Sequence, residues 1–305
     1  MNNIKGNIHY RIDLASVNGA NVKCNLNCRY CHKDFFPIST NVNDMPRIRF
    51  ANSIGYLENI FTDDTRTRKI HFSGRAEPLI LSQTVLYDEL KSIDDEFPRI
   101  EKVMTTNAYL LPGKAELLYK NGVRRINVSV HDRSIYNTKF KKGIESAVEN
   151  GIIICLNAII ERDKITSITE IIDFAKKYRV NIKFFPILGI TNEETTELLK
   201  IADAEIVKYS FMSKFDKTKN RMIYHITENI AASLKYPADF EERPETCQAC
   251  YLRDKCLEGC WDSIRITPWY IKPCGVRTDN IYYFSQNDTD KLKEKLISGG
   301  KLLNN

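Results

Sequence analysis

Cys24-Asn-Leu-Asn-Cys28-Arg-Tyr-Cys31 places three thiols on one tight loop, in a C-x3-C-x2-C spacing. Thiolates are soft ligands and select iron–sulfur centres or zinc over harder ions. Three of them can hold three irons of a cubane and leave the fourth iron open to a substrate-like ligand. A structural zinc site takes four protein ligands, so zinc here would need a distant fourth such as His32. A second group, Cys247-x2-Cys250-x5-Cys256-x3-Cys260-x13-Cys274, offers five ligands for another iron–sulfur centre or a zinc knuckle. These two groups take eight of the nine cysteines (three plus five), and Cys155 alone reads as a small buried apolar residue. The opening residues MNNIKGNIHYRIDLA lack the apolar core of a signal peptide. Clustered cysteines in a cytoplasmic chain indicate metal rather than disulfides.

Alternating strands and helices must position these loops. Strand-like segments are expected at 8–15, 69–72, 102–106, 125–130, 152–160 and 181–185, with helical spacing at 50–61, 85–93, 114–121, 139–150 and 166–178. Asn121-Gly122 and Asn150-Gly151 read as helix stops. About six β-α units argue for a parallel sheet with right-handed crossovers, as a partial (β/α)6 TIM-like barrel, fold class α/β. In such barrels chemistry sits at the C-terminal strand ends. Those ends carry the cysteine loop, Ser73-Gly74-Arg75-Ala76-Glu77-Pro78, Thr106-Asn107, Ser129 to His131, Asn157 and Pro186 to Gly189. The organisation expected is a barrel over 1–200, a helical connection over 201–240 and a small cysteine-bearing unit over 241–305. Residues 193–235 read as helices, and 236–246 as a polar linker.

The 305 residues are 43% hydrophobic and 28% charged, which excludes wholesale disorder. No apolar run reaches the ~18 residues of a membrane span. The net charge of +6 is scattered, without the basic stripe of a nucleic-acid binder, and would suit an anionic substrate. His71 and His225 stand alone and read as structural histidines.

The cysteine loop, with Tyr30 before its last cysteine, resembles the radical S-adenosylmethionine (SAM) superfamily. The resemblance implies that Cys24, Cys28 and Cys31 bind a 4Fe–4S cluster and that SAM chelates its open iron. Reductive cleavage would then yield a 5′-deoxyadenosyl radical that takes a hydrogen atom from the substrate. Phe72-Ser-Gly-Arg-Ala-Glu77-Pro78 is similar to the family's Gly-Gly-Glu-Pro motif, interrupted here by Arg75-Ala76. Thr105-Thr106-Asn107 resembles its TTNG strand end, with Ala108 for the glycine. His131 stands where an aspartate is commoner. By this resemblance Ser73, Gly74, Glu77, Asn107, Ser129, Asn157 and Leu188 would contact SAM. The likeness covers about residues 8–190.

The x2, x5, x3 spacing resembles that of the twitch and SPASM extensions, whose auxiliary 4Fe–4S cluster would here take Cys247, Cys250, Cys256 and Cys274, with Cys260 as an alternative ligand. Residues 264–274 read as a β-hairpin ending in a ligand. The same segment is similar to the molybdenum-cofactor GTP 3′,8-cyclase subgroup, in which Arg265 would stand for one GTP-binding arginine, while the second arginine of that pair is Ser263 here. The implied chemistry is oxidation or cyclisation of a nucleotide- or sugar-like small molecule, with peptide cross-linking as the alternative. Only 23 residues precede Cys24, too few for a peptide-binding domain, which favours the small molecule. A flavodoxin- or ferredoxin-type electron donor is implied. Neither membrane nor nucleic acid is expected as a partner.

Overall fold

The strand segments at the front of the chain alternate buried and half-buried side chains, a period of two that gives each strand one face toward helices and one toward the interior. In the computed structural model these become β1 (Ile8–Ile12), β2 (Arg68–Phe72), β3 (Glu101–Thr106), β4 (Val123–Val130), β5 (Ile153–Ile160) and β6 (Asn181–Pro186). Between and after them run α1 (Phe50–Ile60), α2 (Gln83–Glu96), α3 (Ala115–Lys120), α4 (Thr138–Glu149), α5 (Ser167–Tyr178) and α6 (Asn192–Val207). The structure describes residues 7–19, 22, 24–28, 31, 42, 45–131, 133–162, 165, 167–187, 192–217, 219–237, 245–251, 253, 263–275, 277 and 279–299.

Each neighbouring pair from β1 to β6 is parallel, as the alternation of elements predicts. Ile8, Tyr10 and Ile12 of β1 enter the core under the helices, and Tyr10 donates to Glu58 of α1. Ser82 caps α2 by accepting from the Val85 amide at 3.3 Å, and Asn137 caps α4. Gly122 and Gly151 follow α3 and α4 with φ of +81° and +77°, the left-handed stops expected there.

After α6 the expectation of helices to residue 235, and with it the helical connection over 201–240, is corrected. Strands β7 (Met212–Asp216), β8 (Arg221–Thr227) and β9 (Ile230–Lys235) form an antiparallel meander, and β9 pairs parallel with β6. Tyr224 and Ile226, then Ile230, Ala232 and Leu234, are buried at a strict period of two. The interleaved His225, Thr227, Ala231 and Ser233 are small or polar, and with the short Ala231-Ala232-Ser233 run they blur that period into a helix-compatible stretch.

A short helix α7 (Glu245–Gln248) precedes the expected hairpin, β10 (Ser263–Ile266) and β11 (Tyr270–Lys272), which continues to β12 (Tyr282–Tyr283) and α8 (Thr289–Ser298). β10 lies parallel to β1, so these strands extend the barrel's own sheet rather than forming a second one. The sheet is therefore open, running β12-β11-β10-β1-β2-β3-β4-β5-β6-β9-β8-β7. It is also curled. Lys183 of β6 depresses the basicity of His71 on β2, four strands away. A flat sheet would hold them about 19 Å apart, four spacings of roughly 4.8 Å.

Candidate active site

The C-terminal strand ends meet the cysteine loop through a relay of polar contacts. Glu77 follows β2 in a short 3-10 turn and is buried. Its carboxylate accepts from the Leu79 amide at 3.2 Å, from Thr106 Oγ1 at 2.5 Å and from the Asn107 amide at 2.7 Å. Burial pushes its pKa up, and these donors oppose that. Glu77 thus clamps the end of β2 to the end of β3. Asn107, held by its amide, sends Nδ2 to Asn25 Oδ1 at 2.8 Å, and the Cys24 thiol faces the same oxygen at 3.6 Å. The Leu26 amide donates to Cys24 Sγ at 3.5 Å. At the end of β4, His131 Nδ1 stands 3.4 Å from Cys28 Sγ.

Cys24, Cys28 and Cys31 are all half-buried. Among the described residues no three cysteine, histidine or carboxylate side chains surround a single ion. The donor set nevertheless fits a cubane, in which each thiolate takes a different iron. Two further features fit a ligand at these strand ends. Ser73 Oγ and Asn157 Oδ1 are buried with no hydrogen-bond partner among the described residues, and buried polar atoms left so are costly. Ser129 lies opposite Asn157 in register. Leu188 falls outside the described residues, as do Tyr30 and His32.

Three strand ends lock together beside this relay. The Ser73 amide donates to the Ile12 carbonyl at 2.8 Å, and the Asp13 amide to the Ile266 carbonyl at 2.9 Å. Asp13 presses on Gly74 so closely that a Cβ there would stand 2.0 Å from Asp13 Oδ1 and 2.8 Å from its Cα. Only glycine fits. Arg75, the residue that interrupts the expected motif, donates through Nε to Asp13 Oδ2 at 2.9 Å. Burial raises the pKa of Asp13 even so, with Arg75 and then Arg265 holding it down.

The concave face beneath is polar and cationic. His71 Nε2 is 2.7 Å from Thr105 Oγ1, and Lys183 Nζ donates to Asn127 Oδ1 at 3.0 Å. Burial, then Arg11, His9, Lys183 and Lys69, hold His71 well below the usual histidine range. Burial also lowers Lys183, with Arg221, Arg125 and Lys69 adding to it and the Cys155 thiol opposing. Glu101 offsets Lys69 at 2.7 Å and Arg125 at 3.7 Å. Sequence reading took His71 for an isolated structural residue and passed over Lys183. The signal was present in the polar residues at every second strand position, such as His9-x-Arg11-x-Asp13 and Lys69-x-His71-x-Ser73.

Of the second cysteine group, Cys247, Cys250 and Cys274 are half-buried. Cys250 and Cys274 share a neighbour. Both thiols act on Arg277, whose amide donates to Cys274 Sγ at 3.3 Å and whose guanidinium grips Asp279 at 2.8 and 2.5 Å. Cys256 and Cys260 lie outside the described residues.

An open curled parallel sheet with a three-cysteine loop at its strand ends defines a class of enzyme, and the sequence agrees. Residues 21–204 match the Radical SAM superfamily, more than half of the chain, and the protein belongs to that superfamily of SAM- and iron–sulfur-dependent enzymes. It is similar to GTP 3′,8-cyclase of Clostridium perfringens (strain SM101 / Type A), 28% identical over 208 residues covering 58% of this chain. The match spans 59% of that relative's length. A probable GTP 3′,8-cyclase of Methanococcus aeolicus is 27% identical over 275 residues, 85% of this chain and 84% of that protein. Among solved structures, native anSMEcpe with bound AdoMet superposes with a TM-score of 0.61 at 15% identity, covering 95% of this chain and 82% of that one. Streptococcus suis SuiB bound to S-adenosylmethionine gives 0.58 at 17%, covering 97% and 67%. These structural likenesses speak for the fold. No helix among the described residues is long and apolar enough to cross a membrane.

Proposed function

We propose that this radical SAM enzyme oxidises or cyclises a small anionic substrate of the nucleotide kind. The observation that carries the reading is the concave cationic face formed by Arg11, Lys69, Arg125, Lys183 and Arg221 around the neutral His71, on which Glu101 offsets Lys69 and Arg125 and Asp216 acts on Arg221. A cavity lined by one sign of charge focuses its field on an oppositely charged ligand and speeds its capture. The kinship with GTP 3′,8-cyclases points to the same substrate class.

In this reading Cys24, Cys28 and Cys31 hold the SAM cluster, and Ser73, Asn157 and Ser129 offer polar atoms to SAM. A cluster held by these cysteines would supply the electron for reductive cleavage of SAM and so the hydrogen-abstracting chemistry of the reaction. The chain's own part is positional. Glu77 and Asn107 hold the cysteine loop against the strand ends, and the curled sheet keeps the substrate's anionic end on the cationic face. Cys247, Cys250, Cys274 and Cys256, with Cys260 as the alternative, hold an auxiliary 4Fe–4S cluster within a C-terminal unit over 241–305. That cluster would accept an electron from the product radical or bind the substrate. The reducing electron would come from a flavodoxin- or ferredoxin-type donor.

The test is anaerobic. After reconstitution with iron and sulfide, the enzyme is given SAM, a reductant and GTP. Formation of 5′-deoxyadenosine together with loss of GTP supports the reading. Formation of 5′-deoxyadenosine with GTP untouched rejects the nucleotide part.

A second reading, peptide cross-linking, is favoured by one feature. The edge strand β7 exposes Phe211, Met212 and Phe215 beside it, a surface to which an extended peptide could add as a strand. Turnover of a peptide in place of GTP would establish it.

A further inference from the structure

Arg75 is the residue by which this chain departs from the motif its strand end resembles, and its surroundings are unusual. It lies in a narrow cleft lined by Arg11, Asp13, Ser73, Arg265, Thr267 and Tyr270, at the seam where β1 and β2 meet the β10–β11 hairpin. The Arg75 side chain is only 9% exposed. Its Nε is spent on Asp13, but Nη2 is buried with no hydrogen-bond partner among the described residues, and Ser73 Oγ beside it is in the same condition. Arg11 and Arg265 face each other across the β1–β10 ladder, with Arg11 Nε donating to Ser263 Oγ at 3.0 Å. The cleft thus gathers three guanidinium groups and one carboxylate. A guanidinium fork whose second arm has no partner among the described residues is shaped for a second oxyanion.

We propose that this cleft is an oxyanion subsite in which Arg75 Nη2 receives a phosphate or carboxylate group of the substrate, making Arg75 a specificity-determining residue. The inference deepens the anionic-substrate reading given above and rests on it. Asp13 fixes the arginine by its Nε, so the remaining arm is presented rather than free to swing. Gly74 allows Asp13 to come that close. The subsite sits at the same strand ends as the cysteine loop, so an anion held there would orient the substrate toward the reacting centre.

The test measures binding rather than turnover. Calorimetric titration of the reconstituted holoenzyme uses two probes, pyrophosphate for the phosphate source and succinate for the carboxylate source. One of the two should bind, and Arg75→Gln should weaken that probe about tenfold or more, the loss expected for a charge-assisted bond. Lys183→Gln, altered on the concave face instead, separates a general loss of positive charge from a loss at this cleft. Should Arg75→Gln fail to fold, Arg75→Lys decides, since it keeps the charge and the Asp13 pair but lacks the second arm of the fork. Wild-type binding of neither probe overturns the subsite. So does unchanged affinity in the folded Arg75 variants, or an equal loss in Lys183→Gln. Arg75-dependent binding in an enzyme that leaves GTP untouched would instead retain the subsite and sink the nucleotide reading.

Discussion

Asn107, at the end of β3, donates through Nδ2 to Asn25 Oδ1 in the cysteine loop at 2.8 Å, and the same oxygen faces the Cys24 thiol. A residue of the sheet thereby holds the loop in which the SAM cluster is proposed to sit. Glu77 in turn fixes Asn107 by accepting its amide at 2.7 Å. Removing the side chain should loosen the loop without unfolding the barrel. Asn107→Ala is expected to lose cluster iron to a chelator several-fold faster than the wild type, read from the decay of the cluster's visible absorbance. An unchanged decay rate would show that the contact does not brace the loop.

Gly74 is expected to tolerate no side chain. A Cβ at this position would overlap Asp13 Oδ1 at 2.0 Å and approach its backbone Cα at 2.8 Å. Gly74→Ala should destabilise the protein by about 1–3 kcal/mol, the usual cost of overpacking. Denaturant midpoints measure this. Pairing it with Asp13→Gly, which removes the clashing carboxylate, should recover part of the loss beyond additivity.

The two cysteine groups should separate functionally. Cys24→Ala is expected to abolish 5′-deoxyadenosine formation. Cys274→Ala should spare SAM cleavage uncoupled from substrate while stopping product formation. Iron per chain, counted in both variants, would fall in each. Full turnover by Cys274→Ala would refute an auxiliary cluster at that residue.

Lys183 offers a pH signature. Burial, helped by Arg221, Arg125 and Lys69, lowers its pKa from 10.5 in the folded state. Between that lowered value and 10.5 the native protein binds fewer protons than the unfolded chain, so this group makes stability rise with pH across the window. Below the window the cost of the buried charge is present in full. Lys183→Gln removes that cost, so the variant should melt higher at neutral pH and lose the alkaline gain. Its KM for an anionic substrate should rise. Thermal melts between pH 7 and 10, set beside KM, check both signs, and a lower melting temperature at pH 7 would contradict the first.

Much of this enzyme was legible before any coordinates. The cysteine spacing, the six β-α units and the order of polar strand ends are local patterns, each carried by a few consecutive residues. The hairpin ending at Cys274 was legible for the same reason. The meander after α6 was not, because the small and polar His225, Thr227, Ala231 and Ser233 between Tyr224, Ile226, Ile230 and Leu234 blur a period of two. Glu77 was read as a SAM contact. Its bonds from Leu79, Thr106 and Asn107 give it a second role that the motif did not show, a clamp between strands.

Thiol spacing and strand periodicity are written within short segments, and they carry the ligand chemistry, the parallel αβ alternation and membership of the superfamily. What the concave face holds depends on contacts remote in the chain. Lys183 and Lys69 are remote in the chain and on strands four apart, and they come within reach of one another because the sheet curls. Likewise, Arg75 was an unexplained interruption of a motif until folding set it against Asp13 and beside Arg265, where the parallel pairing of β10 with β1 brings the two ends of the chain together.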